Sequence, residues 1–361
     1  MTEIQRRKSR QIKIGMVPVG GNASITVQSM TKTDTRNAAA TISEIKRLEM
    51  AGCDIIRLAV PDMAAADALK EICNQSPIPV IADIHFDHQL ALKAIENGVH
   101  ALRLNPGNIR TEEKIREIIA AAMDRQIPVR VGVNAGSLDP EIKARYGGVT
   151  AEALAESALN EVKRLEKYGF GLIKIAVKAF DLKTMTDAVK IVADSCDYPL
   201  HLGVTESGLP EEGIVRSSIG IGSLLMSGIG DTIRVSLTGD SAEEIVTGVR
   251  ILKSIGLRCS GPTIVSCPTC GRCQIPLQEI ARKVKQRLEG VNSSFLVAVM
   301  GCAVNGPGEA EQADFGIAGG KDSGLIFKHG KIIKTLPSDQ LVDGLIEEIF
   351  KSLQNDGKHG D

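Results

Sequence analysis

Between residues 25 and 254 the chain alternates short apolar, β-branched runs with longer stretches whose apolar positions recur at helical spacing. The runs at 25–30, 54–60, 79–84, 101–105, 128–134, 171–177, 200–206 and 231–237 read as eight strands. Segments such as 38–51, 112–125, 151–168 and 242–254 read as helices between them. Strands alternating with helices form parallel βαβ units. Eight such units in about 230 residues is the size of a (β/α)8 barrel. A doubly wound sheet would use the same alternation, but no G-x-G-x-x-G turn follows the first strand. Gly228-Ile229-Gly230 precedes its strand and opens no helix, so it is discounted.

After Gly256 the texture changes. Ser260-Gly261-Pro262 reads as a linker, followed by a cysteine-rich loop, a helix over 277–288 and a strand over 295–300. A Gly/Pro-rich segment at 301–308, a hairpin around Lys328-His329-Gly330 and a closing helix near 339–353 complete the chain. The expected fold is therefore α/β, with a TIM barrel over 1–258 and a smaller α+β domain over 259–361. At 361 residues two domains are the natural division.

Barrel enzymes place chemistry at the C-terminal ends of their strands, which directs attention to the charges inside these apolar runs. Arg57, Asp83 with His85, Arg103 with Asn105, Arg130 with Asn134, Lys174 and Lys178, His201 with Glu206, and Arg234 all fall there. A buried guanidinium needs an anion facing it. Any single arginine could close an ion pair with Asp54, Asp83 or Glu206. The strand acids, Asp54, Asp83, Glu206 and Asp231, are nonetheless fewer than the bases, so surplus positive charge should face the barrel mouth. That predicts a phosphate or diphosphate substrate, for which arginine supplies bidentate contacts. Asn105, Asn108 and Asn134 suit hydroxyl or phosphate oxygens, or are simply turn residues. His85, His88 and His201 read as hydrogen-bonded barrel histidines rather than metal ligands.

Net charge is −1, from 43 basic and 44 acidic residues, so no global field draws in nucleic acid or an anionic membrane. Aromatic residues are 3% of the chain and Trp is absent, which removes stacking platforms for single strands. The basic run at 5–10 has no apolar segment behind it and reads as a solvated strand edge, not a secretory signal. No stretch approaches the roughly 20 apolar residues of a membrane span. A cytoplasmic protein is expected. In a reducing compartment its eight cysteines point away from structural disulfides.

Cys267 and Cys270 stand at Cys-x-x-Cys spacing, Cys273 extends the series, and Cys302 follows a predicted strand in Gly301-Cys302-Ala303-Val304-Asn305-Gly306-Pro307-Gly308-Glu309. Such turns wrap one metal centre. Zinc would use the four thiolates as a closed set, although only one knuckle is visible. An iron–sulfur cluster needs the same thiolates with looser spacing, and the glycines allow backbone N–H groups near inorganic sulfur. Spacing favours iron–sulfur and leaves zinc open. A redox dithiol is less apt, because no thioredoxin-like helix follows. Cys53, Cys73, Cys196 and Cys259 read as small buried hydrophobes.

The cysteine segment, 301–310, 82–87, 103–108, 131–138, 201–206 and 228–237 together resemble the bacterial 4-hydroxy-3-methylbut-2-en-1-yl diphosphate synthases over nearly the whole chain. That resemblance implies a TIM barrel followed by a [4Fe–4S] domain. It also implies reductive ring opening of 2-C-methyl-D-erythritol 2,4-cyclodiphosphate in the non-mevalonate isoprenoid pathway, with electrons from flavodoxin or ferredoxin. By resemblance the cluster ligands are Cys267, Cys270, Cys302 and Glu309, the carboxylate being the arm that substrate oxygen displaces. Arg57, Arg103, Arg130 and Lys178 would hold the diphosphate, with Asp83, Asn105, Asn134 and Arg234 beside them. Glu206 and His201 are the proton-handling candidates, and Cys273 is read as a bystander. The resemblance further implies a homodimer in which the cluster domain of one chain caps the barrel of the other. A cluster-bearing hydro-lyase and a zinc-knuckle metabolite binder are the competing readings.

Overall fold

The computed structural model describes residues 4–85, 87–104, 111–258, 261–302, 308 and 310–356, apart from the side chains at 137, 355 and 356. The chain divides into two compact units, residues 1–258 and 259–361.

The first unit is built on eight parallel strands: β3 (Thr26–Met30), β4 (Ile55–Ala59), β5 (Val80–Ile84), β6 (Ala101–Leu104), β7 (Val129–Asn134), β8 (Ile173–Lys178), β9 (His201–Leu202) and β10 (Thr232–Ile233). Their order is β8-β7-β6-β5-β4-β3-β10-β9, and a parallel bridge between Ile175 and Leu200 joins the two ends into a closed barrel. Alternation along each strand sorts the side chains. Val27, Ile56, Leu58, Ala82, Leu102, Val131, Ile175 and Ile233 face outward into one continuous core with the helices. The neighbouring positions, including Arg57, Asp83, Arg103, Arg130, Lys174 and Lys178, face the lumen and are buried there.

The helices start as their sequences dictate. Asp62, Asp87, Asp139, Asp181 and Asp240 each stand at an N-cap and accept a backbone N–H from the first turn.

A hairpin that the alternation does not signal, β1 (Ile12–Ile14) and β2 (Val17–Val19), supplies Ile12, Ile14 and Val19. These pack against Ile55, Ile81 and Ala101, the lumen residues at the N-terminal ends of their strands. The lumen is thus apolar at its floor and charged above it.

The basic run before the hairpin is not a solvated strand edge. Arg6 donates to the Ala23 and Gly230 carbonyls and pairs with Asp231 at 3.2 Å, and Arg7 donates to the carbonyls of Ala193, Cys196 and Tyr198. These carbonyls lie where helices and loops run out of internal partners, so the arginines are drawn against the barrel base.

The strands at 200–206 and 231–237 are also shorter than their apolar runs suggest. A Cβ at Gly203 would lie 2.7 Å from the Arg234 carbonyl oxygen and 2.9 Å from Lys178 Nζ. The chain leaves the ladder there to make room for the lysine.

The second unit is a five-stranded sheet of β11 (Thr263–Ser266), β12 (Leu296–Met300), β13 (Phe315–Ala318), β14 (Ser323–Lys328) and β15 (Lys331–Pro337), in that order. The first three strands are parallel and the last three antiparallel. Helices Leu277–Arg287 and Leu341–Asp356 cover one face through Ile280, Val284, Leu345 and Ile349 against Val297, Val299 and Ile317. His329 and Gly330, at φ +48° and +72°, make the tight β14–β15 turn. Among the described residues no helix is long and apolar enough to cross a membrane.

Candidate active site

The parallel register sets Asp83 beside Arg103, Arg103 beside Arg130, and Arg130 beside Lys174, so one run of lumen positions carries one acid and three bases. Arg103 Nη1 donates to Asp83 Oδ1 at 2.9 Å, and Arg57 Nε lies 3.4 Å from Oδ2. Arg57 also turns its Nε and Nη2 toward Met30 Sδ, at 3.4 and 3.1 Å. At the rim, His85 Nε2 lies 3.0 Å from Arg103 Nη1 and 3.6 Å from Asp83. Asp83 therefore serves two guanidiniums and an imidazole.

Two other acids, Asp54 and Asp231, are engaged elsewhere. Asp54 pairs with Arg258 at 2.9 Å, while Asp231 binds Arg6, Ser9 and the Leu200 N–H. What remains is a cation cluster short of anions. Among buried atoms without a hydrogen-bond partner are Arg103 Nε, Arg130 Nε and Nη1, Arg234 Nε and Lys174 Nζ. Burial first, and the neighbouring cations second, push Lys178, Lys174 and Arg130 well below their ordinary pKa values, while burial brings Arg57 down to about 10 against the opposing pull of Asp83. Burial opposes ionisation of Asp83, but its His85 hydrogen bond and the nearby Arg57, Arg103 and Arg130 outweigh this and hold it well below the carboxylate range. So many cations, this costly to keep charged together, make a preformed seat for a polyanion.

His201 sits inside the same lumen with its Nδ1 2.7 Å from Thr232 Oγ1 and its Nε2 unpartnered. Burial, reinforced by Arg130, Lys178 and Lys174, drives its pKa well down, so the imidazole is neutral. Glu206 lies in the loop after β9, exposed, with φ +56°. A left-handed backbone is costly for a glutamate, and such strain is characteristic of functional loops. Asn134 ends β7 beside Lys178 on β8. Asn105 and Asn108 lie outside the described residues.

In the second unit the adjacent parallel strands β11 and β12 end together, and Cys267 and Cys302 follow them. Gly301 clasps the cysteine turn: its N–H donates to Cys267 Sγ at 3.2 Å, and its carbonyl accepts the Gln274 N–H at 3.0 Å. Cys267, Cys270, Cys273 and Cys302 are all free thiols, and Cys270 is exposed. The N–H of Cys273 closes the turn on the Cys270 carbonyl at 2.9 Å. Hydrogen bonds to Cys270 from the Arg272 backbone and then the Arg272 charge lower the Cys270 thiol pKa. Soft thiols with an N–H aimed at sulfur fit an iron–sulfur group. Among the described residues no three His, Cys, Asp or Glu side chains are gathered closely enough to hold a metal ion. Glu309 lies outside those residues.

Residues 9–249 match the family model for the GcpE TIM-barrel domain, and residues 263–351 match that for the GcpE protein C-terminal domain. The chain belongs to the GcpE family. It is 54% identical over 348 residues to the 4-hydroxy-3-methylbut-2-en-1-yl diphosphate synthase (flavodoxin) of Geobacter sulfurreducens, covering 96% of this chain and 99% of that one. The enzyme of the same name from Clostridium acetobutylicum is 55% identical over 346 residues, with 96% and 99% covered. Among solved structures, 3-dehydroquinate dehydratase of Geobacillus kaustophilus aligns with a TM-score of 0.50 at 14% identity, over 69% of this chain and 98% of that one. That likeness concerns the barrel fold alone.

Two contributors to this GcpE-family site escaped the strand-based reading. Glu244, on helix Ser241–Ser254, reaches 3.6 Å from Arg234 Nη2, accepts the Leu237 N–H at 2.9 Å and lies 3.2 Å from Ser29 Oγ. Its signal was available: it shares a helix face with the apolar positions Gly248 and Ile251, where an acid needs a reason to be. Met30 gave none, because a thioether facing a guanidinium looks like core in sequence.

Proposed function

We infer that this chain catalyses the reaction of its family, the reductive ring opening of 2-C-methyl-D-erythritol 2,4-cyclodiphosphate to 4-hydroxy-3-methylbut-2-enyl diphosphate. The observation that carries the assignment is the set of lumen cations with unpartnered donor atoms, Arg130 foremost, beside an Asp83 already shared by Arg57 and Arg103. A cyclic diphosphate supplies the missing charge. Arg57, Arg103, Arg130, Lys178 and Arg234 bind its phosphoryl oxygens, and Asn134 orients a neighbouring oxygen. Asn105 is assigned to the same seat.

A [4Fe–4S] cluster is proposed on Cys267, Cys270 and Cys302, with Glu309 as the exchangeable fourth ligand. When bound, it would pass on, one at a time, the two electrons that the external donor delivers, and would offer a Lewis-acidic iron. The chain's own residues do the rest. Burial of the diphosphate among guanidiniums stabilises the charge that grows on it as the ring opens. Glu206, strained and solvent-exposed, is the group best able to deliver the proton to the departing oxygen, since the neutral His201 cannot gain a charge cheaply among so many cations. His201 instead offers its Nε2 to substrate as a hydrogen-bonding group, with Nδ1 held by Thr232. Flavodoxin or ferredoxin is the proposed electron donor, a homodimer the proposed assembly and the cytoplasm the proposed compartment.

Anaerobic purification followed by iron and sulfide determination tests the cofactor. Oxidation of reduced flavodoxin on adding the cyclodiphosphate, with release of the allylic diphosphate, tests the reaction. Protein that carries iron and sulfide but releases dehydrated product without consuming electrons would be the hydro-lyase instead. A colourless zinc protein would remove the redox reading.

A further inference from the structure

Glu244 is a buried acid to which the reaction above gives no task. It stands in the first turn of helix Ser241–Ser254, and a carboxylate this buried is costly unless its oxygens are engaged. Both are. Oε1 accepts the Leu237 N–H at 2.9 Å, while Oε2 accepts the Ser29 hydroxyl at 3.2 Å and faces Arg234 Nη2 at 3.6 Å. Arg57 on β4, Arg103 on β6 and Arg234 just past β10 come from alternate strands, which fill a barrel lumen layer by layer. Asp83 pairs with the first two, and Arg234 is served by Glu244 from the helix outside. That pairing uses Nη2 and leaves the buried Nε of Arg234 without a partner. The guanidinium is thus held at one edge with a hydrogen bond still to give at another. The contact to Leu237 reaches further. The next residue, Thr238, donates its N–H to the Gly208 carbonyl at 2.9 Å, two residues past Glu206. Leu237 itself packs over Gly213, where a Cβ would lie 2.6 Å from Leu237 Cδ2 and 3.3 Å from that same Gly208 oxygen. One carboxylate therefore anchors both an arginine of the seat and a line of contacts that ends in the Glu206 loop.

We propose that Glu244 is a positioning residue for the reaction: it holds the Arg234 guanidinium ready for the diphosphate and, through Leu237 and Thr238, steadies the loop that presents Glu206. The proposal rests on the diphosphate seat read above. Its sign separates it from simple charge compensation. Removing an acid from a cation-rich lumen would, by charge alone, strengthen the binding of an anion. Removing a hold on Arg234 weakens that binding, because the guanidinium must then be ordered at the expense of the ligand. Glu244→Gln isolates this effect, since the amide oxygen can still accept the Leu237 N–H while the ion pair to Arg234 is gone.

Calorimetric titration of anaerobically purified holoprotein with the cyclodiphosphate, without an electron donor, tests this apart from turnover. Glu244→Gln should bind several-fold more weakly than the parent, and the same change made on Arg234→Met should add no further loss. Glu244→Asp, which keeps the charge but draws it back by one methylene, should also weaken binding, and it carries the test if the glutamine variant does not fold. Under turnover Glu244→Gln should raise KM more than it lowers kcat, and Glu244→Ala, which also frees the Leu237 N–H, should lower kcat further. Tighter binding by Glu244→Gln would overturn the proposal in favour of charge compensation. So would equal losses with and without Arg234, or a kcat that falls while KM stays where it was. A parent that does not bind the cyclodiphosphate would fail the seat itself, a result separable from all of these.

Discussion

Replacing Asp83 by Asn removes one charge from the lumen and leaves its shape unchanged. Asp83 is 4% exposed and faces Arg103 at 2.9 Å and Arg57 at 3.4 Å, with side-chain exposures of 5, 7 and 9% for Asp83, Arg103 and Arg57. Removing one partner of a buried ion pair costs roughly 3–5 kcal/mol, because the remaining charge stays buried. For a unit of this size each kcal/mol moves the melting temperature by roughly 2–4 °C, so Asp83→Asn should melt roughly 6–20 °C lower. The assay is thermal unfolding of both proteins with and without inorganic pyrophosphate. If the arginines form a polyanion seat, pyrophosphate restores the missing charge and narrows the gap between variant and parent. The acid limb supplies a second reading. Because the folded-state pKa of Asp83 is depressed, its stabilisation is present above the ordinary carboxylate pKa and is lost as pH falls below about 4. The parent should therefore lose more stability than Asp83→Asn over that range. Equal melting temperatures, or a gap that pyrophosphate leaves untouched, would refute the reasoning.

Lys174→Met should raise the melting temperature, since it removes a buried, unpartnered amine worth roughly 1–3 kcal/mol of desolvation cost; a lower melting temperature would mean that the amine has a stabilising partner. His201→Gln should flatten the loss of stability below about pH 6.5. The depressed folded-state pKa of His201 makes the unfolded chain the stronger proton binder there, so a parent and variant with parallel acid limbs would contradict a neutral buried imidazole. Gly301→Ala should lower iron and sulfide retention by placing a Cβ 2.6 Å from Cys273 Sγ, and the added change Cys273→Ala should restore part of it. If the double variant retains no more metal than Gly301→Ala, the steric account fails.

Much of this molecule is written in local pattern. The period of apolar runs and helices gave eight strands, because a strand buried on its outer face must show alternating or continuous apolar positions wherever it lies. Charged residues inside those runs marked the lumen, since a guanidinium buried as Arg57, Arg103 and Arg130 are needs an anion facing it. The cysteine spacing pointed to the proposed second site for a similar reason: thiols on one short turn are close enough in sequence to share a centre.

Partner choice was the part that sequence left open. Which acid meets which arginine depends on strand register and helix placement across hundreds of residues, so only the tertiary structure gives Asp83 to Arg57 and Arg103, Glu244 to Arg234 and Asp54 to Arg258. The same holds for the basic run at 5–10. Its charges look solvated along the chain, but Arg6 and Arg7 are spent on carbonyls and on Asp231 at the barrel base. The sequence alone determined the kinds of element and the kinds of chemistry, because periodicity and residue type act over a few positions. Only the fold decided which charges are neutralised and which are left for a ligand, because that depends on distances between residues remote in the chain.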